Sequence, residues 1–186
     1  MFSLLVIEDY VDGVMVGRIV KGRACGGDLS TRNFYNFMAN VFSVALQDFS
    51  VVDDGGVSRT VRIRFSTTDF NKGSIFWNTY RCVHAVRVRF GSGATLPSKT
   101  DFKLESEFLA VTNPVVRVDE AGGFVYIEAG FTDVVPRDVC EVGLTLAGTV
   151  SGNSTCGEVL LDRTVFSPCR SIPAGTPYVV RYRLLF

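Results

Sequence analysis

A chain of 186 residues is long enough to bury one sizeable core, and a single domain over 1–186 is the expectation. Nineteen basic residues balance nineteen acidic ones, which excludes a global field drawing the protein to nucleic acid or an anionic membrane. No stretch approaches the roughly 18 apolar residues of a membrane span, and the opening run Leu4-Leu5-Val6-Ile7 is broken by Glu8 and Asp9, too short for an export signal.

Those features predict a soluble protein made in a cytoplasm and not exported by itself. Hydrophobic residues make up 47% of the chain and include fifteen Phe. That richness exceeds what one small domain needs, so buried contacts between subunits are expected.

Residues 2–7 and 14–20 read as two strands separated by Tyr10-Val11-Asp12-Gly13, and the Asp-Gly pair suits a tight turn. A glycine-rich basic connector, 21–27, follows and completes an N-terminal segment over 1–28. The period then changes. Phe34, Phe37, Met38, Val41, Phe42 and Ala45 recur as one face of a helix, with Ser30 or Thr31 as its cap. The prediction is one amphipathic helix over 29–47, laid across one face of a sheet.

Strands resume at 57–65 after the turn Asp53-Asp54-Gly55-Gly56, and the sheet residues are expected over 57–186. Residues 66–81 read as irregular and hold the single Trp of the chain. Phe76, Trp77 and Tyr80 form a candidate aromatic binding loop that would stack sugars or bases; packing over an open sheet end competes with that reading. A strand at 83–90 carries the lone His84 in its apolar phase. Residues 91–98 form a long turn-rich segment without the Gly-Lys-Ser/Thr end of a phosphate loop. Thr100 to Glu105 is expected to form a short helical turn.

Further strands are expected at 109–118, interrupted by Asn113-Pro114, and at 123–131. The last third predicts three more, at 139–147, 157–166 and 177–186. In the final one Tyr178, Val180, Tyr182, Leu184 and Phe186 share one face while Arg181 and Arg183 take the other, the period of a strand with one buried side. A chain ending inside its own sheet is expected to leave no tail for targeting or tethering. The fold class that emerges is mostly β, an antiparallel β-sandwich with one amphipathic helix.

Six arginines recur in a pattern. Arg62 and Arg64, Arg87 and Arg89, and Arg181 and Arg183 each occupy the polar face of one strand. Were those strands neighbours, the six would form a basic stripe able to meet nucleic acid phosphates, a lipid surface or an acidic partner. With zero net charge, pairing with Glu107, Asp119, Glu128 or Glu141 on adjoining strands is the preferred expectation.

Five cysteines without a Cys-x-x-Cys pair argue against a complete disulfide framework and against a zinc site. Cys140 shares the apolar phase of Val142, Leu144 and Leu146 and reads as a small core residue. Cys156 and Cys169 flank one strand, where a bridge between them is an alternative to free thiols. Glu128, Glu141 and Asp133 are carboxylates that a glycoside hydrolase would use, but their spacing fixes no distance between them. No nucleophile elbow, zinc-protease motif or calcium loop is present in the sequence. No catalytic, metal or cofactor residues are assigned, and the expectation is a protein that is not an enzyme. Asn153-Ser154-Thr155 is a glycosylation sequon in a predicted loop.

Four segments in fixed order complete the reading. They are the 30–46 helix after its hairpin, Arg89-Phe90-Gly91-Ser92-Gly93-Ala94-Thr95-Leu96-Pro97 running into Thr100-Asp101-Phe102-Lys103-Leu104-Glu105, then Glu141-Val142-Gly143-Leu144, and Leu160-Leu161-Asp162-Arg163-Thr164-Val165-Phe166. This arrangement resembles small structural proteins of tailed phages and related archaeal viruses, over roughly residues 29–186. The chain differs from them in its cysteine content and in an insertion over 69–82.

The resemblance implies a sandwich of jelly-roll type in a capsid, decoration layer or tail. It implies a homo-oligomer that also packs with other virion proteins, located in the virion after synthesis in the host cytoplasm. Gly91 and Gly93 would then serve a sharp strand exit, and Leu104, Leu144 and Leu161 would fill the core. A carbohydrate- or receptor-binding module of a viral tail or fibre, using Phe76, Trp77 and Tyr80, is the alternative.

Overall fold

The computed structural model describes residues 4–21, 33, 49–65, 73–77, 80–119, 122–149 and 155–185. The chain begins as predicted, with β1 (Leu4–Val11) and β2 (Val14–Lys21) joined by Asp12-Gly13. Both turn residues have positive φ, +48° and +77°, as the favoured two-residue hairpin turn requires. The other described strands are β3 (Phe49–Val52), β4 (Ser58–Phe65), β5 (Gly73–Trp77), β6 (Tyr80–Gly91), β7 (Glu107–Val111) and β8 (Val115–Asp119). They continue with β9 (Phe124–Phe131), β10 (Arg137–Thr149), β11 (Thr155–Ile172) and β12 (Tyr178–Leu185).

Among the described residues all pairings are antiparallel and fall into two sheets. One has the order β2-β1-β12-β9-β8; the other runs β11-β10-β6-β5-β4-β3, with β7 also on β6. The N-terminal hairpin is therefore part of a sheet, whereas the sequence reading confined the sheet to 57–186. β12 is a central strand, hydrogen-bonded to β1 on one side and to β9 on the other. The predicted helix over 29–47 lies outside the described residues apart from Asn33, whose side-chain amide bonds both the N–H and the C=O of Val52 on β3.

The two sheets share one core, because alternating residues of each point at the other. Leu5 and Ile7 of β1, Tyr178, Val180 and Tyr182 of β12, and Ile127 of β9 meet Val88 and Phe90 of β6 and Val142 and Leu144 of β10. The Phe90 ring sits edge-on to Phe131 and Tyr178, with centroids 5.0 and 6.0 Å away, the arrangement aromatic quadrupoles favour.

Charged residues also bridge the sheets. Lys21 of β2 donates to Asp162 of β11 at 2.9 Å and to the Arg163 carbonyl at 2.7 Å. Asp162 also accepts from the Thr164 hydroxyl at 2.9 Å. Asp9 of β1 accepts from Arg170 of β11 at 2.6 Å. Gly17 is paired opposite Asp9, and the carboxylate with its guanidinium fills the space a Cβ at 17 would need. Burial, reinforced by the Asp9 charge, holds the Tyr178 hydroxyl well above its usual range.

Several expectations need correction. The region 66–81 is not wholly irregular, since β5 and the start of β6 form a hairpin within it. Thr100 to Glu105 is not a helical turn: a turn closes at Ser98–Asp101, and the chain then bends irregularly until β7 begins at Glu107. β11 does not stop at 166 but continues through the cis Ser167-Pro168 bond to Ile172.

Cys140 is not a free core thiol. It is bridged to Cys169, with Cα atoms 4.3 Å apart, so the alternative Cys156 to Cys169 bridge does not form. The cause is a register jump in which Cys140, the one residue between Val139 and Glu141, faces the four residues between Val165 and Arg170. That bulge brings Cys169 over Cys140.

Candidate functional site

The segment between β6 and β7 is pinned to the sheet by a single buried carboxylate. Glu141 is paired opposite Gly91 and is fully buried. It accepts from the backbone N–H of Gly93 at 3.2 Å, Glu105 at 3.1 Å and Ser106 at 2.7 Å. Its fourth donor is Nε of Arg163, at 2.7 Å. A Cβ on Gly91 or Gly93 would collide with this carboxylate, so close approach, and not only turn geometry, explains both glycines.

Arg163 extends the cluster. It stands on β11 opposite Gly143, and its two terminal nitrogens reach Asp101 at 2.9 Å and Glu105 at 3.3 Å. Burial alone would lower the pKa of this guanidinium, but its bonds to Glu141 and Asp101 and their charges raise it. Glu105 accepts from the N–H and hydroxyl of Thr95, bonds that lower its carboxyl below the usual range. Leu104 then seats over Gly143, where no side chain obstructs it.

Three of the four segments behind the resemblance thus converge on one spot. Gly91 and Gly93, Asp101 with Leu104 and Glu105, Glu141 with Gly143, and Arg163 are mutual neighbours. Every charged group in the cluster has a partner, so its chemistry is that of a lock.

A second network lies along β6, β10 and β11. Glu158 accepts from Arg87 at 3.0 Å, from Nε and Nη2 along one edge of the Arg89 guanidinium, and from the Thr145 hydroxyl. Arg89 also bonds Glu107. Burial pushes the Glu158 carboxyl up, but the bonds from Arg89 and Thr145 and the arginine charges outweigh it and hold the group below its usual range.

Arg181 and Arg183 lie on the other sheet. Arg181 bonds Glu128 at 2.9 Å and stacks on Tyr10 and Tyr126, with ring centroids 5.1 and 5.3 Å away. Arg183 pairs with Glu8 at 3.1 Å and lies over Phe124.

The six arginines are therefore divided between two sheets. Arg62 and Arg64 belong to β4, two strands from β6, and their side chains lie outside the described residues. Arg87, Arg89, Arg181 and Arg183 each have a carboxylate partner. Glu107 and Glu128 serve as expected; Glu158 and Glu8 take the places proposed for Asp119 and Glu141.

Of the aromatic candidates, Trp77 pairs across the β5–β6 hairpin with Tyr80, while Phe76 pairs with Arg81 in the alternate register. Their side chains, that of His84 and the Asn153 sequon lie outside the described residues. Glu128 and Glu141 stand on different sheets, and Asp133 is held by Arg137 at 2.7 Å in the β9–β10 connection.

Among the described residues no His, Cys, Asp and Glu cluster has the makings of a metal site, and no helix is long and apolar enough to cross a membrane. A shallow cavity of about 190 Å³ opens between Pro136, Arg137, Asp138, Ser171, Ile172 and Pro173.

Sequence reasoning missed Glu158, and it quoted Asp101 and Arg163 without a role. The available signal was a charged pair, Asp162-Arg163, inside the apolar run from Val159 to Phe166, since charges in such a run are buried only when paired. No family model, curated protein or solved structure matches this chain.

Proposed function

We propose that the chain is a viral structural protein that self-assembles and packs with other virion proteins in a capsid, decoration layer or tail. The observation that carries this reading is the convergence around Glu141 and Arg163. The short motifs behind the resemblance to phage and archaeal-virus structural proteins are far apart in sequence yet interlock as one set of contacts. In this reading the two packed sheets are a jelly-roll sandwich, and residues 29–47 form an amphipathic helix across it.

The surface supports the same role. Arg87, Arg89, Arg181 and Arg183 are each paired with a carboxylate, while Val14, Met15, Val16, Val115, Val116 and Val118 remain exposed on terminal strands. Paired charges leave exposed apolar area as the main attraction between copies.

The test is molar mass by light scattering over a concentration series. A discrete oligomer or larger shell-like assemblies are expected. A strict monomer at high concentration would contradict the reading and favour the second one, a carbohydrate- or receptor-binding module, for which the cross-hairpin pairing of Trp77 with Tyr80 is the supporting observation.

A further inference from the structure

The terminal strands of the two sheets are not equally protected. β3 has the N–H and C=O of Val52 taken by Asn33. β11 is buried along Glu158 to Thr164. β2 carries a register shift opposite Asp9 and Tyr10 and a projecting Arg18. Such features normally keep sheet edges from pairing with other chains.

Among the described residues β8, though it too carries an exposed charge, Arg117, has no such cap, burial or register shift. It pairs with β9 in unbroken register from Val115 to Asp119, and among the described residues no strand lies on its other side. Val116 and Val118 stand opposite Ile127 and Val125, hence on the core-facing side, yet they are 54% and 69% exposed. The apolar surface of the sheet thus runs past the core and stops in solvent.

The charges on β8 indicate what completes it. Arg117 and Asp119 lie on the opposite side from Val116 and Val118 and are two residues apart, with Val118 between them. Antiparallel pairing of β8 with itself, centred on Val118, sets Arg117 against the partner's Asp119 and Asp119 against the partner's Arg117. Val118 then meets the partner's Val118 on the core-facing side. Centring on Arg117 instead would place two guanidiniums face to face, which cross-strand pairs disfavour.

Building on the self-assembly proposed above, we infer that β8 is a homotypic edge, pairing with β8 of a second copy about a two-fold axis at Val118. The two five-stranded sheets become one continuous sheet, and the axis returns the same contacts to both copies.

Sedimentation velocity on the full chain tests this. Arg117→Asp, which leaves the Asp119 bond to Gly122 intact, and Asp119→Arg are each expected to weaken self-association about tenfold, because two attractive pairs become repulsive. An equimolar mixture of the two variants, and the double swap R117D/D119R, are expected to regain it. Val118→Lys, which reverses no existing pair, is expected to weaken association and not to be rescued by either partner. Variants that associate as strongly as the wild-type protein would overturn the β8 assignment and leave self-assembly standing. A wild-type monomer at every concentration would overturn both.

Discussion

Arg163→Ala is expected to destabilise the fold by about 3–5 kcal/mol, the usual consequence of removing one partner from a buried charge cluster. The guanidinium side chain is only 4% exposed and makes three ion pairs, to Glu141, Asp101 and Glu105. Alanine leaves three carboxylates converging on an emptied space, with only backbone amides to steady Glu141. Since small domains are stable by roughly 5–15 kcal/mol, the variant should sit near its unfolding threshold. Arg163→Lys keeps the charge but lacks the planar fork that reaches three acceptors, and an intermediate loss is expected. Urea unfolding with a common m value reports both. A loss below about 1 kcal/mol for Arg163→Ala would place these contacts with weak surface pairs.

The second large effect is expected at the bridge between the sheets. Lys21 and Asp162 have side chains 2% and 0% exposed, so Lys21→Met leaves a buried carboxylate with the Thr164 hydroxyl as its remaining side-chain donor. A loss of about 3–5 kcal/mol should follow. Adding Asp162→Asn removes the orphan charge while keeping an acceptor for Thr164, and most of the loss should be recovered. Single and double variants form a cycle whose coupling term isolates the pair. Simple additivity would mean that the two charges do not depend on one another.

Much of the β architecture was legible. Asp12-Gly13 announced its hairpin, because few other residue pairs adopt positive φ in succession. The alternation from Tyr178 to Leu184 identified a strand with one buried face, and β12 is that strand. β3 and β5 escaped notice because four or five residues are too few to establish a period. Cys140 had the phase of a core residue but acquired a partner through a bulge, and bulges leave little trace in a hydrophobic pattern.

The arginines show a different limit. Alternation correctly placed Arg87, Arg89, Arg181 and Arg183 on the sides of their strands away from the core, but a strand's phase does not say which sheet it joins. The Glu141 cluster was legible only in parts. Glycines at 91, 93 and 143 and charges at 101, 105, 141 and 163 were visible, while their meeting depends on β6, β10 and β11 lying side by side.

Amide hydrogen exchange at Gly93, Glu105 and Ser106 reports whether Glu141 fastens the segment between β6 and β7 to the sheet. These amides lie outside the strands, where free N–H groups normally exchange through local opening. Bonded to a buried carboxylate, they should exchange only as slowly as the β10 core, with protection lost in Arg163→Ala before the strands unfold. Rapid exchange at all three in the wild-type protein, with β10 still protected, would contradict it.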